Sequence, residues 1–360
     1  MKKETYFIQL DGLRFFAVLM VMIAHWLQWQ WGNPIVKAIP FGHGVILFFV
    51  LSGFLITRIL LTYKDRYTEL NLNKSQLILQ FYKRRFLRIF PLYYALILFL
   101  FILNFENTRL ISPWLFTYTS NIYQSIHQSY IGSFNHFWSL AVEEQFYLFW
   151  PILLLFIRKK ATFYLIITTI VAAIIYRAIL FSNDAHWMSI SYSTLSSMHS
   201  LGIGALLAYI SIYHKAVLAK LSHSKWLIAI ISFYLIQLII HRYFQIQWMK
   251  EILDEFFFSI LSFFIILKAF FNGYKYGVKI ILENRFIRYG GQISYGLYVF
   301  HVFIPKLYEY VSLKIGLSIS NKYAEFILFF FVTVLLSHLS WKYFEKPINQ
   351  LKSRIPYIKN

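Results

Sequence analysis

Arg14 and His25 stand eleven residues apart in one apolar run, DGLRFFAVLMVMIAHW. On a helix rising about 1.5 Å per residue, that spacing is roughly 16 Å and about three turns, so the two side chains share a face. A guanidinium near the water can hold an anion such as a phosphate, and an imidazole deeper in lipid can take a proton. Ionisable groups inside a membrane span are costly, which makes the pair a candidate functional site. The alternative is a structural histidine hydrogen-bonded to a neighbouring helix.

Most of the fifteen acids fall at the ends of apolar runs or in loops, but Glu143 and Glu144 lie inside HFWSLAVEEQFYLFWPILLLF. Counting about 1.5 Å per residue puts Glu143 roughly 9 Å and His25 about 12 Å below the same surface. A carboxylate at that depth can fix the imidazole tautomer and raise its basicity, so that the imidazole removes a proton from an attacking hydroxyl. The competing reading is a buried ion pair that only locks two helices. In FYKRRFLRIFPLYY, Arg85 and Arg88 are three residues apart and share a helical face, which suits bidentate contact with phosphate. Topology or anionic lipid also accounts for cations there, and Pro91 offers a kink beside them. SYGLYVFH places Ser294, Tyr298 and His301 at spacings of four and three, near one face and able to line the cavity of His25; packed, hydrogen-bonded groups are the alternative. Gly44, Ser52 and Gly53 read as close-packing positions, and His136 as a residue that either meets a substrate or is solvated.

The elements that must position these groups are membrane helices. The 360 residues are 59% hydrophobic and 21% aromatic with 14% charged, too apolar for a soluble domain of this length. The expected fold is all-α, polytopic, with about ten transmembrane helices near residues 13–31, 44–62, 87–105, 137–157, 162–181, 197–213, 226–242, 254–271, 292–311 and 324–343. The net charge of +20 is explained by topology and not by nucleic acid. With the N-terminus inside, 26 of the 35 Lys and Arg fall on inner segments and eight on outer ones, which supports cytoplasmic termini. The absence of cysteine excludes disulfides and a thiolate acyl carrier. No phosphate-binding glycine loop or metal-type His/Asp cluster is present in the sequence, so no metal is expected. Residues 106–136, with Pro113, Trp114, His127 and His136, are the longest candidate for an outer loop, half of it expected as an interfacial or re-entrant helix.

Taken in order, DGLR with the Arg14 to His25 spacing, FFVLSGFLIT, RRFLRIFPLYY, FWSLAVEEQFY, SYGLYVFH and the terminal FEKP resemble the acyltransferase-3 family of integral membrane enzymes over essentially the whole chain. The resemblance implies one transmembrane domain over residues 1–360, without an appended extracytoplasmic domain, in a bacterial plasma membrane. It implies an O-acyltransferase that moves an acyl group, most commonly acetyl from acetyl-CoA, onto a hydroxyl of a cell-surface glycan or glycolipid such as lipopolysaccharide, exopolysaccharide or peptidoglycan. Arg14, Arg85 and Arg88 would then serve the acyl-CoA donor, His25 would be the essential histidine, and Glu143 is favoured over Glu144 because it follows SLAV directly. Tyr298 and His301 are expected to help position the acceptor. One departure is Ile46, where many members carry an acid. A transporter or flippase using the same buried charges is the competing class.

Overall fold

Long apolar runs without charge can satisfy their backbone only as helices when they lie in lipid, and helices are what forms. The computed structural model describes residues 7–28, 39–70, 72–316 and 318–357, and no strand occurs among them. Lys2, Lys3, Lys37 and Lys359, which entered the topology count, and the end of the first expected span lie outside the described residues. The spanning elements are α1 (Ile8–Ile23), α2 (Gly44–Glu69), α3 (Lys74–Leu103), α4 (Phe137–Phe156), α5 (Lys159–Ser182), α6 (Thr194–Tyr213), α7 (Ser224–Tyr243), α8 (Glu255–Phe270), α9 (Ser294–Phe300), α10 (Phe303–Ile315) and α11 (Lys322–Ser340).

Eight helices among the described residues are long and apolar enough to cross a membrane. The other two expected spans are present in altered form. The 254–271 span is the 16-residue α8, entered through a π-helical turn at Met249–Asp254. The 292–311 span is interrupted after Phe300, so that α9 and α10 meet at His301 and Val302. The long loop folds largely into short helices, Thr108–Phe116 and Ser120–His127, followed by a tight turn at Gly132–Phe134.

Two helices form the centre. In α2 and α6, 67% of the most apolar 18-residue window is buried, against 22% in α5 and α7, whose outward leucines and isoleucines face the surroundings. Lipid is as apolar as these side chains, so the central contact relies on close backbone approach. A Cβ on Gly53 of α2 would lie 2.0 Å from the Leu201 carbonyl oxygen, and one on Gly204 of α6 would lie 2.1 Å from that of Val50. The α1 helix is held the same way, since Gly44 faces the Ala17 carbonyl at 2.4 Å and Gly291 faces that of Asp11 at 1.9 Å. The packing role read for Gly44 and Gly53 is therefore what the backbone requires.

The described residues nearest the two ends of the chain, Phe7 and Lys352 to Tyr357, lie on one face. The Arg84 guanidinium donates to the carbonyls of Lys352 at 3.0 Å and Ile355 at 2.9 Å and stacks over Tyr357. At the same end Arg58 lies over Phe7. Buried Lys64 donates to the Leu154 and Ile157 carbonyls at 2.7 Å each, capping the end of α4 with a cation where unpaired carbonyls concentrate.

Candidate active site

The α1 helix does not end regularly at the candidate base. It passes into a π-helical turn at Ala24–Gln28, a widening that often marks functional positions, and His25 is its second residue. The ring Nδ1 lies 2.9 Å from the Val21 carbonyl and 3.3 Å from Nε2 of His301. His301 Nδ1 is in turn 2.7 Å from the Tyr298 carbonyl. A carbonyl can only accept, so each Nδ1 carries the proton, which leaves the lone pair of His301 on Nε2 and that of His25 on Nε2. The tautomer of His25 is thus set by a backbone carbonyl and a second imidazole. The interruption between α9 and α10 is what delivers that imidazole, and the fully buried Trp26 steadies it by donating Nε1–H to the His301 carbonyl at 3.1 Å.

Glu143 was expected to orient His25. Its carboxylate instead accepts a hydrogen bond from Ser52 Oγ at 2.6 Å, and the Tyr147 hydroxyl donates to the same Ser52 at 3.0 Å. The physical reason is lateral position: equal depth does not imply adjacency, and α2 runs beside α4 where Glu143 emerges. Ser52, read above as a packing residue, is therefore part of the site. The Ser139 hydroxyl is within 2.5 Å of Tyr298 Oη, which donates to the His136 carbonyl at 2.7 Å. Ser139, Glu143 and Tyr147 follow at intervals of four on α4, a spacing that could have revealed the row in advance.

A cavity of about 130 Å³ joins these groups to the basic cluster. Arg14, Arg85 and Arg88 line its end near the chain termini, Glu143 and Tyr147 its middle, and Ser139 and Tyr298 its far side. The three arginines predicted to act together are together. Arg14 is also paired with Asp11, Nη1 to Oδ1 at 2.7 Å, so part of its charge is compensated. Arg84, between the other cations in sequence, is turned away to hold the C-terminal segment. Tyr295, on the same wall, donates to the Ile89 carbonyl at 2.7 Å, close to Pro91 within α3.

Glu144 separates from its neighbour. It lines a second, mostly apolar cavity of about 570 Å³ between α3 and α4, together with Phe86, Phe90 and Leu148, and Arg85 and Tyr147 border both spaces. Buried acids are also more numerous than the sequence suggested: Asp11, Asp254 and Glu345 are each at most 8% exposed. Among the described residues no group of three His, Cys, Asp or Glu could hold a metal ion.

Residues 7–342 match the acyltransferase-3 family, described as an acyltransferase domain. The chain belongs to that family. It is 30% identical over 386 residues to the peptidoglycan O-acetyltransferase OatA of Listeria monocytogenes, an alignment covering 97% of this chain and 58% of the relative. It is 27% identical over 384 residues to the O-acetyltransferase OatA of Staphylococcus aureus, again covering 97% of this chain and 58% of that protein. The chain thus spans a little over half the length of these curated relatives. No solved structure matches it.

Proposed function

We propose that the chain is a membrane O-acetyltransferase, multi-pass in a bacterial plasma membrane, that takes acetyl from acetyl-CoA at the face carrying its termini and delivers it to a hydroxyl of cell-wall glycan from the opposite face. The observation that carries this reading is the cavity that runs from Arg14, Arg85 and Arg88 to Ser139 and Tyr298, whose lining does not include His25 or His301 but which the Tyr298 carbonyl joins to the His301–His25 pair. The names of the relatives point to the same chemistry and to peptidoglycan as the acceptor class. The excess of Lys and Arg near the termini supports a cytoplasmic placement of that face.

In this reading the phosphates of the donor lie against the three guanidiniums, and the pantetheine arm extends along the cavity toward Tyr298. His25 Nε2 accepts the proton of the acceptor hydroxyl as its oxygen attacks the thioester carbonyl. The C–S bond breaks, the acetyl carbon keeps the new C–O bond, and the proton passes from His25 to the departing thiolate. His301 spreads the transient imidazolium charge by accepting from His25 Nδ1. Glu143, held by Ser52, faces the middle of the cavity and sets the charge there against Arg85.

Purified protein supplied with acetyl-labelled acetyl-CoA and peptidoglycan should form a labelled, base-labile ester, and His25→Ala at normal membrane abundance should abolish it. A fully active His25→Ala protein, or vesicles that accumulate a solute while no ester forms, would overturn the reading.

A further inference from the structure

A second polar site lies at the face opposite the termini, where α5 ends and α8 begins. A cavity of about 160 Å³ is bordered by His43, Trp187, Ser191, Lys250, Asp254 and Glu255. Asp254 is 8% exposed; its Oδ2 faces His43 Nε2 at 3.3 Å, while its Oδ1 is buried with no hydrogen-bond partner among the described residues. Neither Lys250 nor Arg177 brings a free cation to the site, since Lys250 Nζ is bound to Glu251 at 2.9 Å. The Arg177 Nη1 is bound to Glu255 at 2.6 Å, and its Nε and Nη2 donate to the Glu251 carbonyl. What remains is an unpaired carboxylate oxygen, Asp254 Oδ1, in the wall of a cavity that also holds an indole, Trp187, that is 38% exposed.

The lining selects among ligands. Carboxylates outnumber open cations, which disfavours an anion, and the described residues hold no metal-binding group. A molecule rich in O–H and N–H donors with an apolar C–H face fits both the carboxylate oxygen and the indole. That description is a neutral saccharide unit.

The site is also connected to the chemistry. Phe49, on the wall of the central cavity, touches Trp138 at 5.9 Å between ring centroids, and Trp138 stacks on Tyr192 at 4.3 Å and 13°. Tyr192 meets Trp187 at 5.5 Å, and Trp187 meets Tyr130, which is 62% exposed, at 6.2 Å. An unbroken aromatic series therefore runs from the surface to the cavity that holds Glu143. We infer that Trp187 and Asp254 form a subsite for a neutral saccharide unit of the acceptor, with the aromatic series leading from it toward the reaction centre. The inference rests on the glycan-acceptor reading above and adds where the glycan is held.

The test uses the detergent-solubilised full chain and a linear tetrasaccharide of β-linked N-acetylglucosamine as probe, with binding measured by calorimetry and transfer by acetyl ester formation. Trp187→Ala should weaken binding and raise the acceptor KM about tenfold, as loss of an aromatic platform does, with the donor KM unaltered. Trp187→Phe should restore most of the affinity, and the isosteric Asp254→Asn should weaken it severalfold. Tyr276→Ala, at an 88% exposed position outside this cavity, should leave the acceptor KM unchanged. Wild-type protein that does not bind the tetrasaccharide, or acceptor KM values unchanged in both Trp187→Ala and Asp254→Asn, overturns the subsite and leaves Trp187 an interfacial anchor only. If the wild type forms no glycan ester yet binds the tetrasaccharide in a Trp187-dependent manner, the transferase reading fails and the subsite stands.

Discussion

Replacing His301 by Phe tests the assignment of the catalytic tautomer most directly. The substitution keeps an aromatic ring of similar size in a fully buried position and removes the Nε2 lone pair that lies 3.3 Å from His25 Nδ1. Two contributions to His25 must be separated. Its Nδ1 proton is also held by the Val21 carbonyl at 2.9 Å, so the neutral tautomer survives the change, and the loss of about 10⁴ that follows a wrong tautomer is not expected. What disappears is one acceptor for the imidazolium formed during proton transfer, a charge-assisted hydrogen bond worth about 1.5–3 kcal/mol. That corresponds to a fall in kcat of about 10-fold to 150-fold at 1.4 kcal/mol per decade. His301→Gln, whose amide oxygen can accept in place of Nε2, should recover part of the loss. The assay is release of CoA coupled to ester formation in purified protein, normalised to folded protein in the membrane fraction. Wild-type turnover in His301→Phe would refute the pairing, and inactivity beyond 10⁴-fold in both variants would show that Val21 does not hold the tautomer alone.

Ser52→Ala removes the 2.6 Å hydrogen bond to Glu143 and should slow transfer about tenfold with the donor KM little changed, the cost of one hydrogen bond to a buried charged group; steady-state kinetics on both substrates checks it. Arg85→Ala and Arg88→Ala should each raise the donor KM about tenfold or more through loss of a phosphate contact, whereas Arg84→Ala should lower thermal stability by freeing the C-terminal segment and leave the donor KM intact. Gly53→Ala should cost at least about 1–3 kcal/mol of stability, since overpacking against a backbone carbonyl at 2.0 Å cannot be relieved by a rotamer change. Gly277→Ala, with nothing within 4 Å of the added methyl, should be neutral in the same detergent melt.

Much of the fold could be read because lipid imposes one rule along the whole chain. An apolar run of sufficient length must be a helix, and eight of the ten expected spans meet that rule as long helices. The two that differ do so at buried polar residues: the chain breaks at His301, and α8 is shortened by a π-helical entry that carries Asp254. Hydropathy averages over some twenty residues and does not register a break of two. The cation cluster was legible as well, because Arg85 and Arg88 share a helical face whatever the tertiary arrangement. Choosing Arg85 over Arg84 was decided by the tertiary structure, because Arg84, four residues from Arg88, shares its face equally well and is taken up by the C-terminal segment.

The nearness of His301 to His25 was read from the sequence and is seen in the structure, but the pairing of His25 with Glu143 was misread. Depth along a helix follows from residue counting at about 1.5 Å per residue, and counting brought His25 and Glu143 to similar levels. Which helices stand side by side at that level depends on close contacts between glycine faces, such as Gly53 against Leu201 and Gly44 against Ala17, and no local pattern encodes those pairings. The sequence by itself determined a helical membrane protein, its basic face, and the residue types able to do the chemistry. Only the tertiary structure decided that Glu143 belongs with Ser52, that His301 bonds His25 directly, and that Trp187 and Asp254 share a cavity, because lateral neighbours in a helix bundle are chosen by packing between segments far apart in the chain.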